Sequence, residues 1–206
     1  MVASIFAEAA EAIIAVGRAF DARGWAPATS GNYSVRLNDG SFAVTVSGWH
    51  KGRLTPDGVM RVDAAGTSLD GKRPSAETAL HLSLYRRFPE VGAVLHSHSP
   101  QAVALSRALG GNWTIRGHEL AKAFPGMTTH DAEIAVPIVE NSQDMAEIEA
   151  AIAPYLAEEM PPPAYLIRGH GLYGWGRDIA EAERVIEAAE WLAACEVAER
   201  SMRRDA

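Results

Sequence analysis

"NYSVRLNDGSFAVTVS", residues 32–47, alternates apolar and polar side chains on both sides of the turn-forming tetrapeptide Asn38–Asp39–Gly40–Ser41. Alternation with period two is the signature of a half-buried strand, and a short Asp-Gly turn between two such runs makes a hairpin. The sheet is therefore expected to contain antiparallel neighbours. Outward from this hairpin, residues 4–23 place Ile5, Phe6, Ala9, Ile13, Val16 and Phe20 at helical spacing, with Gly24 closing the segment. "GVMRVDA" (58–64) reads as a further strand, and Ser75 as the cap of a helix from Ala76 to about Phe88. "VGAVL" (91–95) is a strand, and Ser99 with Pro100 opens a helix that ends at Gly110–Gly111. A short helix is expected over Glu119–Phe124, a strand over "EIAVPIVE" (133–140) and a helix over 143–156. After three prolines at 161–163 come two strand-like segments, "AYLIRGH" and "GLYGWG"; "DIAE" (178–181) has capping-box form and starts a last helix to about Arg200. Strands and helices so intermixed predict an α/β fold with a largely antiparallel or mixed central sheet covered by helices, in one domain spanning 1–206.

The bulk numbers fit that expectation and narrow the partners. The chain has 206 residues, 48% hydrophobic and 22% charged, with a net charge of −7. An acidic chain without Lys/Arg clusters is not built to follow a phosphate backbone, so nucleic acid is not expected as a partner. A small anion held in a local pocket remains compatible with that charge. The single cysteine, Cys195, excludes an intrachain disulfide and fits a reducing compartment; its apolar helical setting reads as a buried structural thiol. The N-terminal stretch carries acids and helical periodicity without a basic leader region, and no apolar run approaches 18 residues. No membrane partner is expected, and the cytoplasm is the expected location.

Chemistry concentrates at strand ends. In "AVLHSHSP" (93–100), His96 and His98 stand two apart at the end of an apolar run, so that both rings project to one side. His170, in "LIRGHGLYGWG", follows another apolar strand and is flanked by glycines that permit a sharp turn and a close approach. The other reading of His170 alone is a hydrogen-bonded turn residue. Three histidines from two distant strand ends are the ligand set of an open catalytic metal site, whereas a structural zinc site wants four ligands and usually several cysteines. Three segments suit an anion: "TSGNYS" (29–34), "TVSGWHKG" (45–52) with Lys51, and "RPSAE" (73–77) with Ser75 at a helix start. Each by itself reads equally as an ordinary turn. Two carboxylates stand near such features, Glu77 and Glu119, and each could simply serve first-turn helix electrostatics. His50, His81, His118 and His130 lack a comparable setting and read as surface, packing or supporting residues.

"TSGNYS", "TVSGW", "PSAET", "HSHS" and "RGHG", in this order and across nearly the whole chain, resemble the class II aldolase/adducin family. The resemblance implies an α/β/α fold with a mostly antiparallel sheet. It implies one zinc-like divalent ion (Zn2+) per subunit on His96, His98 and His170, and a homotetramer with sites near subunit interfaces. It places Ser30, Gly31, Asn32, Ser47, Gly48 and Ser75 near a substrate phosphate, with Lys51 beside them. Within the family, "GHELAKAF" and "VPIVENSQD" resemble the dehydratase branch of methionine salvage more than the sugar-phosphate aldolases or epimerases. The expected activity is a zinc-dependent hydro-lyase acting on a small phosphorylated ketose. Glu119 is the expected catalytic acid/base, and Glu77 is a supporting group or occasional ligand. Glu77 is also where the aldolases carry glutamate, so aldol cleavage or epimerisation is the alternative activity. A non-enzymatic, adducin-like scaffold is the alternative of a different class, but it would be expected to lose the metal ligands that this chain keeps.

Overall fold

The computed structural model describes residues 2–204. Five helices are α1 (Val2–Ala22), α2 (Thr78–Arg87), α3 (Pro100–Ala108), α4 (Met145–Leu156) and α5 (Ile179–Arg204). Nine strands are β1 (Asn32–Arg36), β2 (Phe42–Thr45), β3 (Val59–Val62), β4 (Ala93–Ser97), β5 (Trp113–Ile115), β6 (Ile134–Val136), β7 (Ile138–Val139), β8 (Ala164–Ile167) and β9 (Gly171–Gly176). Seven of them form one sheet in the order β3-β2-β1-β4-β9-β8-β7. All neighbours in it run antiparallel except β7 and β8, which are parallel. The hairpin expected at residues 32–47 forms, with Ser34 opposite Val44 and Arg36 opposite Phe42.

Two apolar layers sandwich the sheet. On one face Ile13, Val16 and Phe20 of α1, Ala102 and Leu105 of α3 and Val185, Ala189 and Leu192 of α5 pack with Leu95, Ala164 and Leu172. On the other, Leu80 and Leu84 of α2 and Ile148 and Ile152 of α4 pack with Val94, Tyr165 and Tyr173. With helices on both faces, β4 has no solvent side. All five of its residues are buried, which is why "AVLHS" shows no apolar–polar alternation. Successive side chains nevertheless go to opposite layers: Ala93 and Leu95 to the α1/α3/α5 side, Val94 to the α2/α4 side.

Several local expectations hold. The Ser99 hydroxyl accepts from the Ala102 amide at 3.0 Å and Pro100 is the first residue of α3. At α5, Asp178 Oδ1 accepts from the Glu181 amide at 2.8 Å, while Glu181 reaches back to the Arg177 amide at 2.7 Å, one residue before the usual partner. Others need correction. Ser75 does not cap α2. Pro74 bridges to Val46 and the Ser47 amide donates to the Arg73 carbonyl, so this chain segment is pinned against the end of β2. The helix begins only at Thr78, after a turn closed by Thr78 N–H to Ser75 O, and the Ser75 hydroxyl instead accepts weakly from the Glu77 amide at 3.3 Å. "EIAVPIVE" is two strands: Pro137, which lacks an N–H, separates β6, paired with the unforeseen β5, from β7 in the main sheet. The short helix expected over Glu119–Phe124 does form, as a 3-10 helix over Glu119–Ala123. Cys195 is half-buried, not fully so.

Candidate active site

The antiparallel order decides where the site lies. The C-terminal end of β4, the N-terminal ends of β1 and β9, and the C-terminal end of β2 all fall on one edge of the sheet. His96 sits there with Asn32 of β1 opposite it on one side and Tyr173 of β9 on the other. His98 lies one residue beyond β4, its amide bonded to Trp25 O at 2.7 Å. His170 occupies the β8–β9 turn, which is anchored to the end of α3: Gly169 N–H donates to Ser106 Oγ at 2.9 Å, and the Arg168 guanidinium donates to Leu109 O at 2.6 Å. A Cβ on the next residue, Gly171, would fall 2.2 Å from Ser97 O and 2.8 Å from His96 Cε1. The glycine after His170 therefore serves the contact between the two histidine-bearing segments, not the approach of a ligand.

The three imidazoles converge. One nitrogen from each lies within 4.8 Å of the others, and ring centroids are 4.4 Å (His96–His98), 5.0 Å (His96–His170) and 4.9 Å (His98–His170) apart. His96 Nδ1 donates to Leu172 O at 3.0 Å, leaving Nε2 with its lone pair toward the cluster. His170 Nδ1 lies 3.3 Å from Asn141 Oδ1. Ring nitrogens tied back to carbonyl oxygens are what orient imidazoles as metal ligands. Burial, reinforced by the neighbouring His98, pushes His96 far below the usual histidine range, and burial with the His170 charge pushes His98 down to about 4. Imidazole nitrogens that converge in this way fit a divalent metal ion, which these three can hold.

Glu77, 18% exposed, is the carboxylate at this cluster, with Oε1 3.0 Å from His170 Nε2 and Oε2 3.5 Å from His96 Nε2. Oε2 also accepts from Asn32 Nδ2 and from the Tyr173 hydroxyl, the latter at 3.2 Å. Burial alone would raise its pKa; the hydrogen bond with the His170 ring, the nearby imidazoles and the Asn32 amide outweigh that and hold the carboxyl below the usual carboxylate range. Tyr173 carries His96 as well, stacked on the imidazole at 3.9 Å between centroids.

Beside the histidines opens a cavity of about 260 Å³, and Ser30, Gly31, Asn32, Ser47, Gly48, Lys51 and Ser75 all line it, together with Glu77 and His98. The backbone donors of these turns are not equally free. The amides of Ser30 and Ser47 are already bonded, to Pro27 O and Arg73 O, whereas Gly31 and Gly48, at φ +77° and +79°, have no backbone acceptor among the described residues. The open donors are thus the glycine amides, in the left-handed conformation that builds anion-binding nests. Lys51 is buried and ties the two turns together by donating to Thr29 O (2.8 Å) and Trp49 O (2.7 Å). An ammonium has three protons, so one is left for an occupant. Burial lowers the Lys51 pKa to about 8, against the opposing pull of Glu77.

The family profile described as class II aldolase and adducin N-terminal domain matches residues 11–197. The chain belongs to the class II aldolase and adducin family. It is 51% identical, over 187 residues that make up 91% of this chain and 92% of its relative, to methylthioribulose-1-phosphate dehydratase of Methylococcus capsulatus. The enzyme of that name from Pseudomonas aeruginosa PAO1 is 50% identical over 90% of this chain and 91% of its own. Among solved structures, L-fuculose-1-phosphate aldolase from Thermus thermophilus superposes with a TM-score of 0.77 at 29% identity, covering 97% of this chain and 98% of that one. YgbL of Escherichia coli gives 0.77 at 30% identity, covering 90% and 86%.

One expected residue is not brought to the family site. Glu119 lies on the 3-10 turn with its side chain 74% exposed, paired with Lys122 at 2.6 Å and 3.7 Å from His130, and it does not line the cavity. Lys122 holds its carboxyl below its ordinary pKa, the opposite of what a proton donor needs. Tyr173 and Glu190 escaped the sequence reading, and His81 was read only in general terms as a surface, packing or supporting residue. Tyr173 sits in an apolar run and gives no signal; His81 is one helical histidine among seven. Glu190 of α5 is buried against the opposite side of "HSHS", where the Ser97 and Ser99 hydroxyls donate to its carboxylate. The alternation that aims His96 and His98 at the cluster aims Ser97 and Ser99 at this brace.

Proposed function

We propose that the chain is a zinc-dependent hydro-lyase that converts 5-methylthioribulose 1-phosphate to 2,3-diketo-5-methylthiopentyl 1-phosphate and water. We read residues 1–206 as one domain, working in the cytoplasm as a homotetramer with one Zn2+ per subunit. What carries the reading is identity near 50% to methylthioribulose-1-phosphate dehydratases over nine-tenths of both chains. The strand-end site is its physical support.

A zinc ion held by His96, His98 and His170 would supply Lewis-acid stabilisation of negative charge on the ketose oxygens. The remaining work belongs to the chain. The Gly31 and Gly48 amides, the hydroxyls of Ser30, Ser47 and Ser75 and the Lys51 ammonium take the phosphate in the adjoining cavity. With the phosphate there, carbons 2 and 3 fall toward the histidines and Glu77, and the anionic Glu77 is placed to take up the carbon-3 proton or to hold the ligands in register. Loss of hydroxide from carbon 4 needs a proton, and a positioned acid contributes about 10²- to 10⁴-fold. Glu119 is the residue proposed for that step. Exposed within its own chain, it is proposed to act in a neighbouring subunit's site, where removal from water would raise its pKa.

A second reading, aldol cleavage between carbons 3 and 4, is favoured by one observation: the carboxylate at the cluster is Glu77, where the resembling aldolases also have glutamate. One assay separates the two. Zinc-loaded protein given 5-methylthioribulose 1-phosphate should yield the 2,3-diketone, trapped by a 1,2-diamine as a quinoxaline. Release of a triose phosphate without diketone would replace the dehydratase reading by the aldolase one.

A further inference from the structure

Behind Glu77 runs a buried line of polar groups that the chemistry above does not use. Asn32 Nδ2 donates to Glu77 Oε2, and Asn32 Oδ1 meets His81 Nε2. His81 Nδ1 lies 2.7 Å from Ser34 Oγ, which lies 2.8 Å from the Tyr85 hydroxyl. Asn32, Ser34, His81 and Tyr85 are all buried, so each polar atom must find its partner inside the protein.

Donor and acceptor chemistry fixes every proton in this line. An ionised carboxylate only accepts, so Asn32 must turn its NH2 to Glu77 and its carbonyl oxygen to His81. An amide oxygen only accepts, so His81 Nε2 must carry the hydrogen. A neutral imidazole then offers Nδ1 as an acceptor; burial, against the opposing charge of Glu77, lowers the His81 pKa to about 4 and keeps it neutral. Ser34 therefore gives its proton to Nδ1 and takes one from Tyr85. The direction is the same throughout, from Tyr85 to Glu77.

We propose that His81 is a positioning residue: as the Nε2–H tautomer it locks the Asn32 amide so that Glu77 Oε2 is held by two fixed donors, Asn32 and Tyr173, and Oε1 is turned toward His170 at the cluster. Without His81, Asn32 could rotate its amide and present oxygen to the carboxylate, where two acceptors would repel. Glu77 would then lose both a donor and its orientation. A misplacement of about 1 Å at a reacting group can cost on the order of 10²-fold.

The kinetic part of the test rests on the dehydratase reading; the spectroscopic part does not. Long-range 1H–15N correlation spectra of the labelled wild-type protein, metal-free and zinc-loaded, report the tautomer of each histidine. The His81 ring is assigned in the wild-type protein itself, by through-bond correlations from its own backbone and Cβ. His81 should show a protonated Nε2 and a bare Nδ1 in both states; a protonated Nδ1 would overturn the proposal even if no His81 variant folds. His81→Leu should retain its metal and lower kcat by about 10- to 100-fold with KM changed less than roughly threefold. His81→Gln, which keeps a donor toward Asn32, should recover most of that loss. Wild-type kcat in the leucine variant, or equal damage in both, would overturn the proposal. A wild-type protein inactive on 5-methylthioribulose 1-phosphate would refute the dehydratase reading and leave the tautomer result standing.

Discussion

The cavity at the sheet edge and the 3-10 turn at residues 119–123 each hold a carboxylate, and they are opposites. Glu77 is fixed by Asn32, Tyr173 and two histidines and is 18% exposed. Glu119 is 74% exposed, with Lys122 and His130 as its neighbours. Packing within one chain has organised the first and left the second to water. A carboxylate held by buried donors is ready before substrate arrives, whereas an exposed one depends on whatever surface covers it. Under the proposed function, orientation of the metal-facing end falls to the chain itself and proton delivery to a contact between chains.

The largest effect should come from breaking the fixed region. His96→Ala removes a ligand at the centre of the cluster. Bound zinc, read by elemental analysis, should fall to background, and turnover by more than about 10³-fold, since Lewis-acid stabilisation is worth several kcal/mol. Full zinc occupancy with wild-type turnover would detach the histidines from the chemistry. A smaller effect tests the cavity beside it. Lys51 is a cation below about pH 8 and neutral above it, because burial disfavours its charge. Its attraction for phosphate is therefore present at pH 7 and fades as pH rises through 8, so KM should climb between pH 7 and 9. In Lys51→Met, KM at pH 7 should rise by about 10-fold or more, as for loss of a hydrogen bond to a charged group, and lose that part of its pH dependence. An unchanged KM would mean that the phosphate sits elsewhere.

How far the sequence discloses these two regions differs for physical reasons. The hairpin at 32–47, the Ser99–Pro100 helix start and the His-x-His pair were legible because each is a short-range rule: alternation, a cap, a shared face. Ser75 misled because the strand-like bridge of Pro74 to Val46 delays the helix, a constraint set by residues about thirty positions away in the chain. Pro137 broke a run whose apolar pattern is continuous. His81, Tyr173 and Glu190 could not be singled out, since the partners that give them roles lie 47 to 96 residues distant. Glu119 was singled out by likeness to a family segment, and no pattern in a single chain could reveal which surface covers it.

The proposal that a neighbouring subunit covers Glu119 is tested by mixed oligomers. His96→Ala and Glu119→Gln, each nearly inactive alone, are co-expressed at equal levels and the mixed assemblies assayed for diketone formation. If Glu119 serves a neighbouring site, a Glu119→Gln subunit keeps its histidines and receives an intact Glu119 from a His96→Ala neighbour. Random assembly then restores activity to about a quarter of wild type in a symmetric oligomer. Recovery to that level is the predicted result. Mixed assemblies as inactive as the two parents would contradict it.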